Sequence, residues 1–125
     1  MKLTIAALVI ALLGCSQSVT GPDASGQVSL RYGQSATVNG TRVSFADVVD
    51  DSRCAKDVVC AWAGDAAIKL ESGSESVVLH TNPSVGAAAG KVGGVTVTLV
   101  EVRPEPVSTV ERKKTDYLVI LRASE

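Results

Sequence analysis

The sequence predicts an all-β domain: a small antiparallel β-sandwich or barrel of about seven strands. Three observations predict it. Short runs of alternating apolar and polar residues recur from Gln27 onward, without a sustained helical period. The apolar residues are rich in valine, and Trp62, Tyr32, Tyr117 and Phe45 are all the aromatics, a mix suited to pleated, half-buried surfaces. Turn signals, Asn39-Gly40 and Ser72-Gly73-Ser74, separate runs at hairpin spacing. A chain of 125 residues holds one such domain. Its formal net charge of −1 argues against a nucleic-acid partner, because phosphate binding needs a basic excess.

The first segment reads as an address. Met1-Lys2 is a short positive start, and Leu3 to Leu13 is an apolar run interrupted only by Thr4. As a helix it covers little more than half of a bilayer core, which fits a secretory signal peptide and not a span. Leu12-Leu13-Gly14-Cys15 resembles the lipobox of bacterial lipoproteins. That resemblance implies a signal peptide of residues 1–14, cleavage before Cys15 and acylation of Cys15, so that a lipid becomes the link to the membrane. Each buried CH₂ contributes only ~0.8 kcal/mol, so stable anchoring takes more than one chain. Ser16 after the cysteine resembles the outer-membrane sorting pattern. The expected location is the cell envelope, lipid-anchored, facing the periplasm from the outer membrane if the host has two membranes. Ser16 to Gly26 is small, polar and interrupted by Gly21-Pro22, so residues 15–26 read as the acylated N-terminus and a flexible tether with a reach of roughly 15–20 Å.

Residues 27–125 carry the strands. Gln27 to Tyr32 alternates Val28, Leu30 and Tyr32 against Ser29 and Arg31. Ala36 to Val38 and Thr41 to Val49 flank Asn39-Gly40, the firmest hairpin in the chain. Ala66 to Glu71 and Ser76 to Thr81 flank the second turn. Val85 to Gly94 has neither alternation nor bulk, and its four glycines predict a mobile loop. Gly94 to Arg103 places Val95, Val97 and Leu99 on one face and then changes phase at Val100 and Val102, which predicts a bulge or a change of sheet. Pro104-Glu105-Pro106 ends that strand. Glu111 to Lys114 is a charged turn, and Asp116 to Arg122 is apolar on both faces, as a central strand is.

Acylation of Cys15 leaves Cys54 and Cys60 as a pair. An exported protein meets an oxidising compartment, so a disulfide is the expected state. Closing so small a ring is worth roughly 2–2.5 kcal/mol in the chain-entropy model. Asp51-Ser52-Arg53-Cys54 followed by Cys60-Ala61-Trp62-Ala63-Gly64 resembles the motif of a group of small, uncharacterised bacterial envelope lipoproteins. Val97 to Pro104 and Asp116 to Val119 resemble their closing strands, and Ala55 stands where they commonly have proline. The resemblance implies a secreted β-domain with one disulfide and brings no activity with it. Trp62 has two readings: packed over the disulfide as a plug for one end of the sandwich, the preferred one, or exposed as an anchor for a partner. Arg53 is the other candidate binding residue.

Dedicated chemistry is hard to find. Cys54, Cys60 and His80 lack the spacing of a zinc knuckle. Asp47, Asp50, Asp51, Asp57 and Asp65 lack the register of a calcium loop and read as solvated acids, partly paired with Arg53. His80 reads as a strand-end residue facing solvent, with no nucleophile elbow or phosphate loop in the chain. No catalytic residue, metal or cofactor is expected. The expected function is non-enzymatic: an envelope lipoprotein, joined to the membrane by its lipid, that binds an envelope protein or small ligand or plays a structural role. Two alternatives stand beside it. One is an inhibitor-like or chaperone-like binder presenting the Cys54–Cys60 loop and Val85 to Gly94. The other is a metal or redox protein using Cys54 and Cys60.

Overall fold

A computed structural model of the chain describes residues 26–124. The signal peptide, Cys15 and the tether as far as residue 25 lie outside the described residues. Eight strands follow: β1 (Gln27–Arg31), β2 (Ser35–Val38), β3 (Thr41–Asp51), β4 (Ala66–Ser72), β5 (Glu75–His80), β6 (Ala89–Val92), β7 (Val95–Arg103) and β8 (Leu118–Ser124). They form two antiparallel four-stranded sheets, ordered β1-β8-β7-β6 and β2-β3-β4-β5. The expected all-β sandwich is present, with one strand more than the sequence indicated.

Alternation builds the core. Val28 and Leu30, Val43 and Phe45, Ile68 and Leu70, and Val119 and Leu121 all point between the sheets and are buried. Tyr32 meets the edge of Phe45 at 5.5 Å between ring centroids. The Asn39-Gly40 turn forms as expected, with Val38 opposite Thr41 and positive φ at both turn residues. In β7 the register slips between Leu99 and Glu101. Val100 is extruded to solvent, and Val102 returns to the core. The phase change is therefore a bulge and not a change of sheet. β8 pairs with β1 on one side and β7 on the other, a central strand as read.

The stretch expected to be a mobile loop contains β6, paired with β7 from Ala89 opposite Thr98 to Val92 opposite Val95. Its glycine has a packing reason. A Cβ on Gly90 would stand 2.7 Å from Val77 Cγ2 of β5, so the missing side chain lets the two sheets meet at this seam. His80 N donates to Ala87 O at 2.9 Å and Leu99 N to Ala88 O at 2.7 Å, which ties the same segment down. At the other seam, Tyr32 N donates to Tyr117 O at 3.0 Å and Gly33 N to Phe45 O at 2.9 Å as the chain passes from one sheet to the other.

The registers sort the connections into two ends. The β2–β3, β4–β5 and β6–β7 turns share one end, where Thr41 Oγ1 donates to Gly93 O at 3.1 Å. Gln27 pairs with Arg122 there, so the chain enters the sandwich at this end. The segments 52–65, 81–88 and 104–117 lie at the opposite end, joined by hydrogen bonds from Arg53 to Val102 O and from Lys56 N to Pro106 O.

Candidate functional site

The long connections at the far end carry the candidate residues. Asp51 closes β3 and is the hub of a charge cluster. Arg53 Nε reaches Asp51 Oδ1 at 2.8 Å and Arg53 Nη2 reaches Oδ2 at 3.0 Å, a forked pairing that matches guanidinium to carboxylate. Arg112 Nη2 lies 3.3 Å from Oδ2, and the buried Tyr117 hydroxyl donates to the same oxygen. The Arg112 guanidinium also sits over the Tyr117 ring at 5.5 Å. Burial alone would lift the Asp51 carboxyl, but the hydrogen bonds from Arg53 and Tyr117 and the Arg53 charge outweigh it and hold it below the usual carboxylate value. Burial, reinforced by Asp51, raises the Tyr117 phenol. Arg53 also donates to Val102 O at 2.7 Å and Pro104 O at 3.0 Å. Its nitrogens are thus directed into the fold, and the guanidinium clamps the start of the cysteine loop to β7.

Cys54 and Cys60 are bridged, with Cα atoms 5.9 Å apart. Two braces hold the ring to the 104–117 connection. Lys56 N donates to Pro106 O at 2.9 Å, and the Asp57 carboxylate accepts from both the backbone N (2.9 Å) and the hydroxyl of Ser108. Cys54 N donates to Ala63 O at 3.2 Å, closing the base of the loop. At that base Gly64 adopts φ +69°, and a Cβ there would stand 1.8 Å from Ser52 O. The close approach lets Ser52 N reach Asp65 O at 2.7 Å.

Trp62 is not packed over the disulfide. Trp62 is 83% exposed, and Val59 beside Cys60 is fully exposed. That end of the sandwich is occupied by the buried Tyr117 and by Asp51 with the two arginines paired to it. Val58 is also exposed, so one disulfide-closed, hydrogen-bonded loop presents two valines and a tryptophan to solvent. Beside the loop is an open groove of about 430 Å³ bordered by Lys56, Ala63, Thr81, Val100, Glu105 and Pro106.

His80 departs from its expected solvent-facing position. Its Nδ1 lies 2.7 Å from Asp65 Oδ2, and its ring packs so closely on Gly86 that a Cβ there would stand 2.2 Å from Cδ2. Asp65, only 4% exposed, also accepts from Asn82 N at 2.9 Å. Burial opposes the Asp65 charge, yet the hydrogen bonds from His80 and Asn82 outweigh it and lower its carboxyl. Asp65 is therefore a buried tie between the cysteine loop and the 81–88 connection, and not one of a set of solvated acids. Four of the five acids named in the sequence, all but Asp50, have separate partners: Lys114 for Asp47, Arg53 for Asp51, Ser108 for Asp57 and His80 for Asp65. Among the described residues no group of three or more His, Cys, Asp or Glu side chains is placed to hold a metal ion.

Sequence reasoning named Cys54, Cys60, Trp62 and Arg53, and the structure brings all four into one loop and its base. It missed Val58 and Val59. The available signal was three large apolar residues in a short segment with no strand to bury them. It also missed the partners Asp65 and His80, whose pairing depends on the β4–β5 hairpin. Comparison of the chain with protein-family models, curated proteins and solved structures finds no match in any of the three.

Proposed function

We propose that this protein is a lipid-anchored envelope protein whose role is to bind a protein partner through the loop closed by Cys54 and Cys60. The reading joins the address carried by the leader and Cys15 to the loop-presenting alternative drawn from the sequence. The observation that carries it is the exposure of Trp62 on a braced loop. Holding a tryptophan in water forgoes the burial it would gain in a core, and a disulfide with two flanking hydrogen-bonded contacts removes much of the entropy cost of ordering the loop on binding. Tryptophan is also among the residues most enriched at binding hot spots.

A photo-reactive amino acid placed at Val58 of the full chain tests this in the native envelope. A discrete adduct from position 58, absent from the same residue placed at Thr37 on β2, is the expected result. Trp62→Ala should reduce that adduct at least tenfold. Equal labelling from both positions, or none, overturns the reading. The anchor is tested separately: Cys15→Ala should release the protein from the lipid fraction.

A further inference from the structure

The same loop specifies what kind of surface it fits, and this step rests on the binding reading above. The backbone N–H and C=O groups of Val59, Cys60, Ala61 and Trp62 have no hydrogen-bond partner among the described residues. The chain bends at Ala61 and Trp62, and all four side chains are exposed. On either side the backbone is engaged: Val58 N donates to Ala55 O, and Ala63 O accepts from Cys54 N. The tip therefore couples two features, an apolar pair formed by Val59 and Trp62 and a run of unpaired peptide groups between them.

That coupling separates the candidate occupants. In a bilayer, the two side chains would enter hydrocarbon only by taking unpaired peptide groups with them, and hydrocarbon offers those groups no partner. A second copy of the chain would supply further unpaired groups, but the groove it offers beside the loop is bordered by Lys56, Glu101 and Glu105 and is not an apolar pocket for an indole. A concave protein site supplies both requirements, since it can hold an apolar anchor in a pocket and pair main-chain groups along its wall. The loop's carboxylate, Asp57, is already engaged with Ser108.

We infer that the loop's partner is a folded protein with a concave site, one that takes the Trp62 indole in an apolar pocket and hydrogen-bonds the peptide groups of residues 59–62. The test uses the full chain cross-linked from position 58 in its own envelope, purified with its adduct and compared with the free chain by amide hydrogen exchange. In the free chain the amides of Cys60, Ala61 and Trp62 should exchange near the rates of unstructured peptide. In the adduct they should slow at least tenfold. An adduct in which they remain fast overturns this inference and leaves the binding reading standing. Absence of any discrete adduct overturns both. A parallel arm adds residues 16–125, which lack the apolar leader and the acylation site, to vesicles of phosphatidylethanolamine and phosphatidylglycerol, where the protein should stay in the aqueous phase. Sedimentation with vesicles that is lost in the Trp62→Ala variant would make the occupant a lipid surface and overturn the inference.

Discussion

Gly64→Ala should be the most damaging conservative change at the base of the loop, and Gly73→Ala is its built-in control. Both glycines hold positive φ, +69° and +59°, so both variants incur the left-handed penalty of about 1–2 kcal/mol. They differ in space. A Cβ on Gly73 meets nothing within 4 Å, whereas one on Gly64 would stand 1.8 Å from Ser52 O, 2.6 Å from Ser52 C and 2.9 Å from Arg53 Cα. All three are backbone atoms and cannot rotate away, so the two segments at the base of the loop must separate by more than an ångström. That strains the Ser52 N–Asp65 O bond (2.7 Å), the Cys54 N–Ala63 O bond (3.2 Å) and the Asn82 Nδ2–Gly64 O bond (2.8 Å). At about 1 kcal/mol for each bond weakened or lost, Gly64→Ala should cost about 3–5 kcal/mol in total. Urea unfolding of the oxidised proteins, followed by circular dichroism, reads the difference as a shift in midpoint at constant slope. The expected gap between the variants is about 2–3 kcal/mol. Equal costs would mean that the chain does not approach Gly64 closely, and the argument for a tightly based loop would fail.

Other changes separate structural from presented residues. Trp62→Ala should alter stability by no more than about 0.5 kcal/mol, whereas removing a packed tryptophan costs about 3–5 kcal/mol; thermal or urea unfolding distinguishes the two. Asp65→Ala should cost about 2–4 kcal/mol, because it removes the buried acceptor of the partly buried His80 and Asn82 donors, and the same unfolding curves measure it. Asp51 and Asp65 both have carboxyls lowered from the usual 3.8. The unfolded chain then takes up protons at a higher pH than the folded one, so their stabilisation is complete above about pH 4 and is lost as pH falls through the folded values. Unfolding free energy measured from neutral to strongly acidic pH should fall below that point, and Asp51→Asn should make the fall shallower.

Local chemistry made much of the fold readable. Asn39-Gly40 sets a turn that both residues enter with positive φ, and the break in alternation at Val100 appears as a register slip. β8 was readable because a strand paired on both sides and covered on one face tolerates an apolar run. β6 was not, because the glycines that suggested freedom answer a long-range demand: Gly90 leaves room for Val77 of another sheet. The site divides the same way. The disulfide follows from the cysteine count and the oxidising compartment that the leader predicts. The exposure of Trp62 does not follow from its neighbours, because what displaces it from the end of the sandwich is Tyr117, fifty-five residues later by the numbering and buried against Asp51. His80 was misread for a similar reason, since its carboxylate lies across a hairpin and not beside it in the chain.

Topology also bears on how the loop is used. β1 begins at the end that carries the tight turns, and the cysteine loop stands at the other. β7, with nine residues at about 3.3 Å each, sets that separation at roughly 30 Å. Under the proposed anchoring, Val59 and Trp62 would therefore stand at the end of the domain opposite the one where the chain enters it. The braces act in the same direction. Arg53 ties the loop to β7 through Val102, Asp57 ties it to the 104–117 connection through Ser108, and Gly64 packs against Ser52 at the loop's own base. A loop fastened in this way resists collapse of its apolar tip onto the domain, which is the cheapest route by which an exposed tryptophan would otherwise leave water. The rigidity of the base and the exposure of the tip are thus one design requirement, and weakening the first at Gly64 should reduce partner capture from position 58 even though no contact residue has changed.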